Sequence, residues 1–266
     1  MLRRKTFTER LEDSQTLSFV LYRSCIQTEG RSINIECTLK LSTGTAQNRY
    51  NAYWSDEMKI LIACEESQRV CIEFRAVGHE AYSCDIEFCS GGKPEWHIWA
   101  DVSTLLNGDC SFRTCDGQLH HIDKWDMIIA FPPCTYLTKA GAVNLYKDGE
   151  LNVERYEQGI KARDFFLSIL NADCERICIE NPVPMKIFGI PEPQQVIQPY
   201  YFGEPVSKKT YLWLKGMTFL CPTNVVEPTY TFESYPLFKN SKGKWRQKNR
   251  GKTLPGIAKA MALSWG

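Results

Sequence analysis

Cys134 follows two prolines in the stretch WDMIIAFPPCTYLT, residues 125–138. Asp126 opens an apolar run over 127–131 with the length and composition of a buried strand. Pro132 and Pro133 end it, because neither can donate a ladder hydrogen bond and each fixes its own φ. The thiol is therefore expected just past the carboxyl end of a strand, on a stiff turn, at the edge where open α/β sheets bind ligands. An ionised thiol is the most nucleophilic of the ordinary side chains, and a rigid loop presents it well. The competing role is that of a small buried hydrophobe, which is what most free cysteines are.

Four acids occupy comparable places. Glu65 follows the run KILIAC at 59–64, Asp85 closes a second strand, Asp101 lies within 98–106, and Glu180 closes RICIE at 176–180. An acid at the end of a second strand commonly holds a ribose hydroxyl pair. A thiol and a carboxylic acid facing one pocket suit attack on an electron-poor ring, with the acid protonating a ring nitrogen. Any one of these acids alone reads equally as a salt-bridged carboxylate; several at one edge weaken that reading.

The elements that must position them alternate from Met58 onward. After the strand at 59–64, Ser67 is placed to cap a helix with Val70, Phe74 and Val77 on its apolar face, and Gly78 stops it. Strands are expected at Glu80–Asp85, within 98–106, before Cys134, at 176–180 and over Thr210–Lys215. A helix is expected over 151–170, with Ala162, Phe165, Phe166 and Ile169 at three- and four-residue spacing, and a short one over Pro255–Trp265. This order implies an α/β fold, a doubly wound and mostly parallel sheet with helices on both faces. Residues 1–57 show no strong element and read as an extension of unknown role, or read-through from an upstream start, whose deletion is expected to leave a folded, active protein.

At 266 residues the chain can hold one sizeable domain, and a formal net charge of +1 selects no partner. Twelve cysteines without a disulfide-scaffold pattern read as reduced thiols of a cytoplasmic protein. Cys84/Cys89, Cys110/Cys115 and Cys174/Cys178 differ in spacing and lack an accompanying CxxC or HxxxH, so no metal is expected. No stretch approaches the ~20 apolar residues of a membrane span, and 17–21 is too short for a signal-peptide core.

From Met58 to the C-terminus the chain resembles the cytosine-C5 DNA methyltransferase family, in its small, divergent phage and prophage form. AFPPCTYLTKAG (130–141) resembles the Pro-Cys nucleophile loop, and IENPVP (179–184) the Glu-Asn-Val motif. FGEPVSKKTYLWLKG (202–216) resembles the Gly-x-Pro-Gln-x-Arg-x-Arg stretch, and 251–266 the final helix that returns to the cofactor pocket. The resemblance implies the methyltransferase form of the Rossmann-like fold and a flipped cytosine as substrate. It implies Cys134 as nucleophile at C6, Glu180 as the acid at N3, Lys208 at the first Arg position, and S-adenosylmethionine as donor. Donor contacts fall on Cys64, Glu65, Glu66, Asp85, Ile86, Asp101, Val102 and Pro132, with Asp85 at the ribose and Asp101 at the adenine amino group. Base and backbone contacts fall on Pro133, Thr135, Asn181, Lys209, Trp245 and Arg246. A monomer in a bacterial or phage-infected cell, with DNA as its partner, is the matching expectation.

The chain departs from the family in four places. Ala63-Cys64-Glu65-Glu66-Ser67 replaces the Phe-x-Gly-x-Gly loop, and losing glycines restricts close backbone approach to a ligand. Val206 and Thr210 stand for Gln and the second Arg, and Lys252 for the Asn of Gly-Asn-Ser. Only a short segment, roughly 217–250, stands where a target-recognition domain is usual. Its end, KNSKGKWRQKNRGK at 239–252, has seven basic residues, no acid and one tryptophan, a composition suited to phosphates and an unstacked base. So short an insert implies relaxed sequence specificity. A free pyrimidine nucleotide, an unusual donor, a catalytically inactive nucleic-acid-binding relative and amino-group methylation remain alternatives.

Overall fold

The computed structural model describes residues 57–138, 144–239, 249 and 251–266, together with the backbone of two strands near the N-terminus. The chain divides into two compact units, Met1–Tyr53 and Trp54–Gly266. In the first, Val20–Ile26 and Asn34–Lys40 pair antiparallel, with Val20 opposite Lys40 and Ile26 opposite Asn34. The sequence reading found no element there.

In the second unit a seven-stranded sheet is built from β1 (Lys59–Ala63), β2 (Glu80–Asp85), β3 (His97–Trp99), β6 (Met127–Ala130), β7 (Ile177–Asn181), β8 (Gln195–Ile197) and β9 (Thr210–Lys215). Between β3 and β6 the chain forms a hairpin, β4 (Cys110–Arg113) and β5 (Leu119–Ile122). The spatial order is β8-β9-β7-β6-β1-β2-β3. All pairings are parallel except those of β9, which runs antiparallel to both β7 and β8. From β1 the chain winds outward to β3, then returns to place β6 on the other side of β1. A crevice opens at such a switch point, outside the carboxyl ends of the strands.

Two faces follow from the period-2 alternation of continuous apolar runs. Ile60, Ile62, Met127 and Ile129 pack with α1 (Arg69–Ala76) and the C-terminal helix α3 (Pro255–Trp265). Leu61, Ala63, Ile128 and Ile179 pack with Phe166 and Ile169 of α2 (Val153–Leu170). The β4–β5 hairpin, through Phe112 and Ile122, and Trp125 just after it cover part of that second face where a crossover helix would be usual. Helices therefore stand on both faces, but the β2–β3 and β3–β6 connections contain only 3₁₀ turns and the hairpin. No helix of the described residues is long and apolar enough to cross a membrane.

Three local expectations are corrected. Ser67 does not cap α1: Gln68 is the N-cap residue, in a left-handed conformation, and the Glu65 carboxylate accepts from Val70 N at 2.7 Å and Cys71 N at 3.2 Å. The Glu65 carboxyl group offers two acceptor oxygens and meets both N–H groups at once, which a single serine hydroxyl does not. Val77 ends the helix exposed instead of extending its buried face. The strand expected within 98–106 is three residues long, because Asp101 caps a 3₁₀ turn, Val102–Thr104.

Candidate active site

The nucleophile turn is anchored strand by strand. β6 is buried throughout, and Phe131 N donates to Ala63 O at 3.0 Å, carrying the pairing with β1 one step past the strand end. Beyond the prolines, Leu137 N and Thr138 N both donate to Cys134 O, at 3.1 and 3.2 Å, so Cys134 opens a closed turn. The segment after β7 holds that turn from the side. Asn181 Nδ2 donates to Pro132 O at 2.9 Å, Met185 N to Leu137 O at 2.7 Å, and Thr138 bridges Pro184.

This stapling brings the residues of IENP to the thiol. Ile179 lies in register with Ala130, and Glu180 follows it. Among the described residues Glu180 Oε1 is sealed from solvent with no hydrogen-bond partner, and Asn181 Oδ1 is in the same state. Burial pushes the Glu180 carboxyl up from its ordinary range, opposed by the Lys208 ammonium. Cys134 is half-buried. Burial pushes its thiol up, the Glu180 charge adds to that, and Lys208 opposes it. Thiol, acid and ammonium thus act on one another. Two orphaned acceptors beside a cysteine form a site with hydrogen-bonding capacity to spare, which packed cores do not leave unused.

Lys208 follows the short strand Val206–Ser207, its backbone N bonded to Gln198 Oε1 at 2.9 Å. Its Nζ lies 4.9 Å from the Phe232 ring centroid. Pro133, Thr135 and Lys209 are exposed, and Pro132 is buried. One residue of the site escaped the sequence reading. Arg155, in the first turn of α2, donates from Nη2 to Thr135 O at 2.6 Å and lays its guanidinium 4.2 Å from the Tyr136 ring centroid. Its only sequence signal was its place after Asn152, whose side chain caps α2 by accepting from Arg155 N at 3.1 Å.

Across the switch point a second group converges. Cys64 sits in the left-handed region at φ 58°, and its thiol is pushed up by burial, then by Asp85, Cys84 and Asp101. Asp85 accepts from Glu87 N at 2.9 Å, and burial raises its carboxyl. Ile86, beside it, is 75% exposed. Asp101 accepts from Ser103 N at 2.9 Å. Val102 is a core residue, its side chain packed under the sheet instead of opening to a ligand.

Glu65 spends both carboxylate oxygens on the start of α1. Glu66 pairs with Lys252 Nζ at 3.5 Å, and the same ammonium reaches Ser90 Oγ at 2.9 Å. Arg69 Nη1 donates to Thr253 O at 2.7 Å. The segment before α3 therefore returns to the loop after β1, and Lys252 is turned onto that loop. Trp245 and Arg246 lie outside the described residues. Among the described residues no three His, Cys, Asp or Glu side chains are grouped as a metal site needs. No protein-family model matches the chain, and no curated protein is similar to it.

Proposed function

We propose that the chain is a cytosine-C5 DNA methyltransferase that uses S-adenosylmethionine and works through a covalent Cys134 adduct. The observation that carries this reading is the buried Glu180 Oε1, without a hydrogen-bond partner among the described residues, on the strand whose next residue, Asn181, is bonded to the backbone ahead of Cys134. Burial raises the proton affinity of the Glu180 carboxyl, which suits it to share a proton with cytosine N3. Asn181 Oδ1 is a second acceptor, suited to the exocyclic amino group of the same base edge.

The chain's part in the reaction follows. The Cys134 thiolate adds to C6 of an extruded cytosine, and the electron pair displaced toward N3 is met by the Glu180 proton. The Lys208 ammonium favours the thiolate before attack and offsets charge on the ring afterwards. When bound, the donor supplies an electrophilic methyl group on a sulfonium for the nucleophilic C5. Loss of the C5 proton to a base, return of the N3 proton and expulsion of Cys134 restore the aromatic ring.

The donor's adenosine end fits the other group: Asp85 would take the ribose hydroxyls, exposed Ile86 would lie against the base, and Asp101 would meet the amino group. A doubly wound sheet with its crevice between β1 and β6 supports the methyltransferase form of the fold. The test combines the protein with labelled S-adenosylmethionine and DNA, then with a duplex containing 5-fluorocytosine. A denaturation-resistant adduct lost in Cys134→Ala is the expected outcome. Transfer undiminished in Cys134→Ala removes the proposal, and transfer to nucleotides but not polymer replaces its substrate.

A further inference from the structure

The part of the chain between β9 and α3 is short, yet it is tied to the backbone that carries Lys208. Tyr230–Thr231 pairs parallel with Val206–Ser207, Ser207 opposite Thr231. Continuing that register by one residue sets Phe232 alongside Lys208. The pairing is closed at both ends. Thr229 N and Tyr230 N donate to Pro205 O at 3.1 and 3.0 Å, and the Tyr235 hydroxyl donates to the Glu204 carboxylate. Ser234 N returns to Thr231 O at 3.2 Å, tightening the turn that holds Phe232. The ring packs partly against the core cluster that includes Val206 and Tyr235.

A lysine carries its charge on a flexible four-carbon stem, and an unconstrained ammonium is a poor fixed charge. A ring face 4.9 Å away restrains it by cation–π attraction. We propose that Phe232 is a positioning residue, its ring holding the Lys208 ammonium where it acts on Cys134 and Glu180. The role rests on the methyl-transfer reading for its chemistry. It also assigns a task to the segment standing where a recognition domain would be inserted: fixing the Lys208 ammonium instead of reading sequence. Among the described residues, the charged groups acting on the Cys134 thiol are Glu180, from β7, and Lys208; Arg155, from α2, meets the next carbonyl of the turn.

The test reads the thiol alone, with neither base nor donor present. The rate of Cys134 alkylation by iodoacetamide is followed against pH, by mass spectrometry of the peptide that contains it, in the full chain. Lys208→Met is expected to raise the midpoint by about one unit, and Phe232→Leu by roughly half of that. Phe232→Tyr, which keeps the ring, is expected to retain the original midpoint. In the Lys208→Met background, Phe232→Leu is expected to add nothing. An unchanged midpoint in Phe232→Leu overturns the proposal, as does an unchanged midpoint in Lys208→Met or a shift from Phe232→Leu that persists without Lys208. Should Phe232→Leu fail to fold, Phe232→Met carries the same comparison. A completed cycle in a protein that forms no adduct with the 5-fluorocytosine duplex keeps the pair and ends the methyl-transfer reading; an adduct without the cycle does the reverse.

Discussion

Asn181 Nδ2 donates to Pro132 O across 2.9 Å, so the residue after the candidate acid holds the backbone that precedes the candidate nucleophile. Two stretches almost fifty residues apart thereby form one rigid rim. Asn181→Ala leaves a buried carbonyl without its donor, at a cost of about 1–3 kcal/mol. Urea unfolding is expected to show that loss, and adduct formation with 5-fluorocytosine DNA to fall at least tenfold in the fraction still folded, since a displaced nucleophile loses near-attack geometry.

Glu180 raises the Cys134 thiol, so removing its charge has a definite sign. Glu180→Gln is expected to lower the pH midpoint of Cys134 alkylation, making the thiol more reactive toward iodoacetamide while methyl transfer falls by about two orders of magnitude. Opposite movement of the two readouts separates an acid acting on the base from one that only supports the fold. Equal losses in both would point to a structural role.

Arg155 touches the turn from outside, through Thr135 O and the Tyr136 ring. Arg155→Lys keeps the charge but loses the planar stack and the fork. Transfer is expected to fall roughly tenfold, with thermal stability changed by less than about 1 kcal/mol because the contact is largely exposed. A melting curve measured beside the rate decides between a positioning effect and simple destabilisation.

Glu65 gives a pH dependence that does not involve the reaction. Burial pushes its carboxyl up to about 8, against the lowering effect of the bonds from Val70 N and Cys71 N. An acid raised on folding stabilises when protonated: its contribution is full below the unfolded value near 4.5 and is lost as pH rises toward 8. Glu65→Gln, which does not titrate, is therefore expected to gain stability relative to the parent between pH 5 and pH 9. Urea melts of both proteins at the two pH values measure that difference.

Much of the frame was legible before any coordinates. Continuous apolar runs at 60–63, 127–130 and 177–179 are buried from both sides, and Pro255–Trp265 is helical over the span read from sequence. Less was legible where side chains compete for the same backbone groups. Ser67 and Glu65 both precede α1, and only the folded loop shows that the carboxylate reaches the helix N–H groups. The β4–β5 hairpin was missed because its strands are four residues each and only partly apolar.

From the residues alone come most strands of the main sheet, the double-proline stop and the acid-bearing strand end, because hydrophobic period and proline stereochemistry are local properties. Tertiary structure alone decides which of those strand ends meet. It places β6 between β1 and β7, ties Asn181 to Pro132, brings Arg155 to the nucleophile turn, and sets Phe232 beside Lys208. Those pairings depend on sheet order and register, set by burial summed over the whole domain, and no local window of sequence contains that sum.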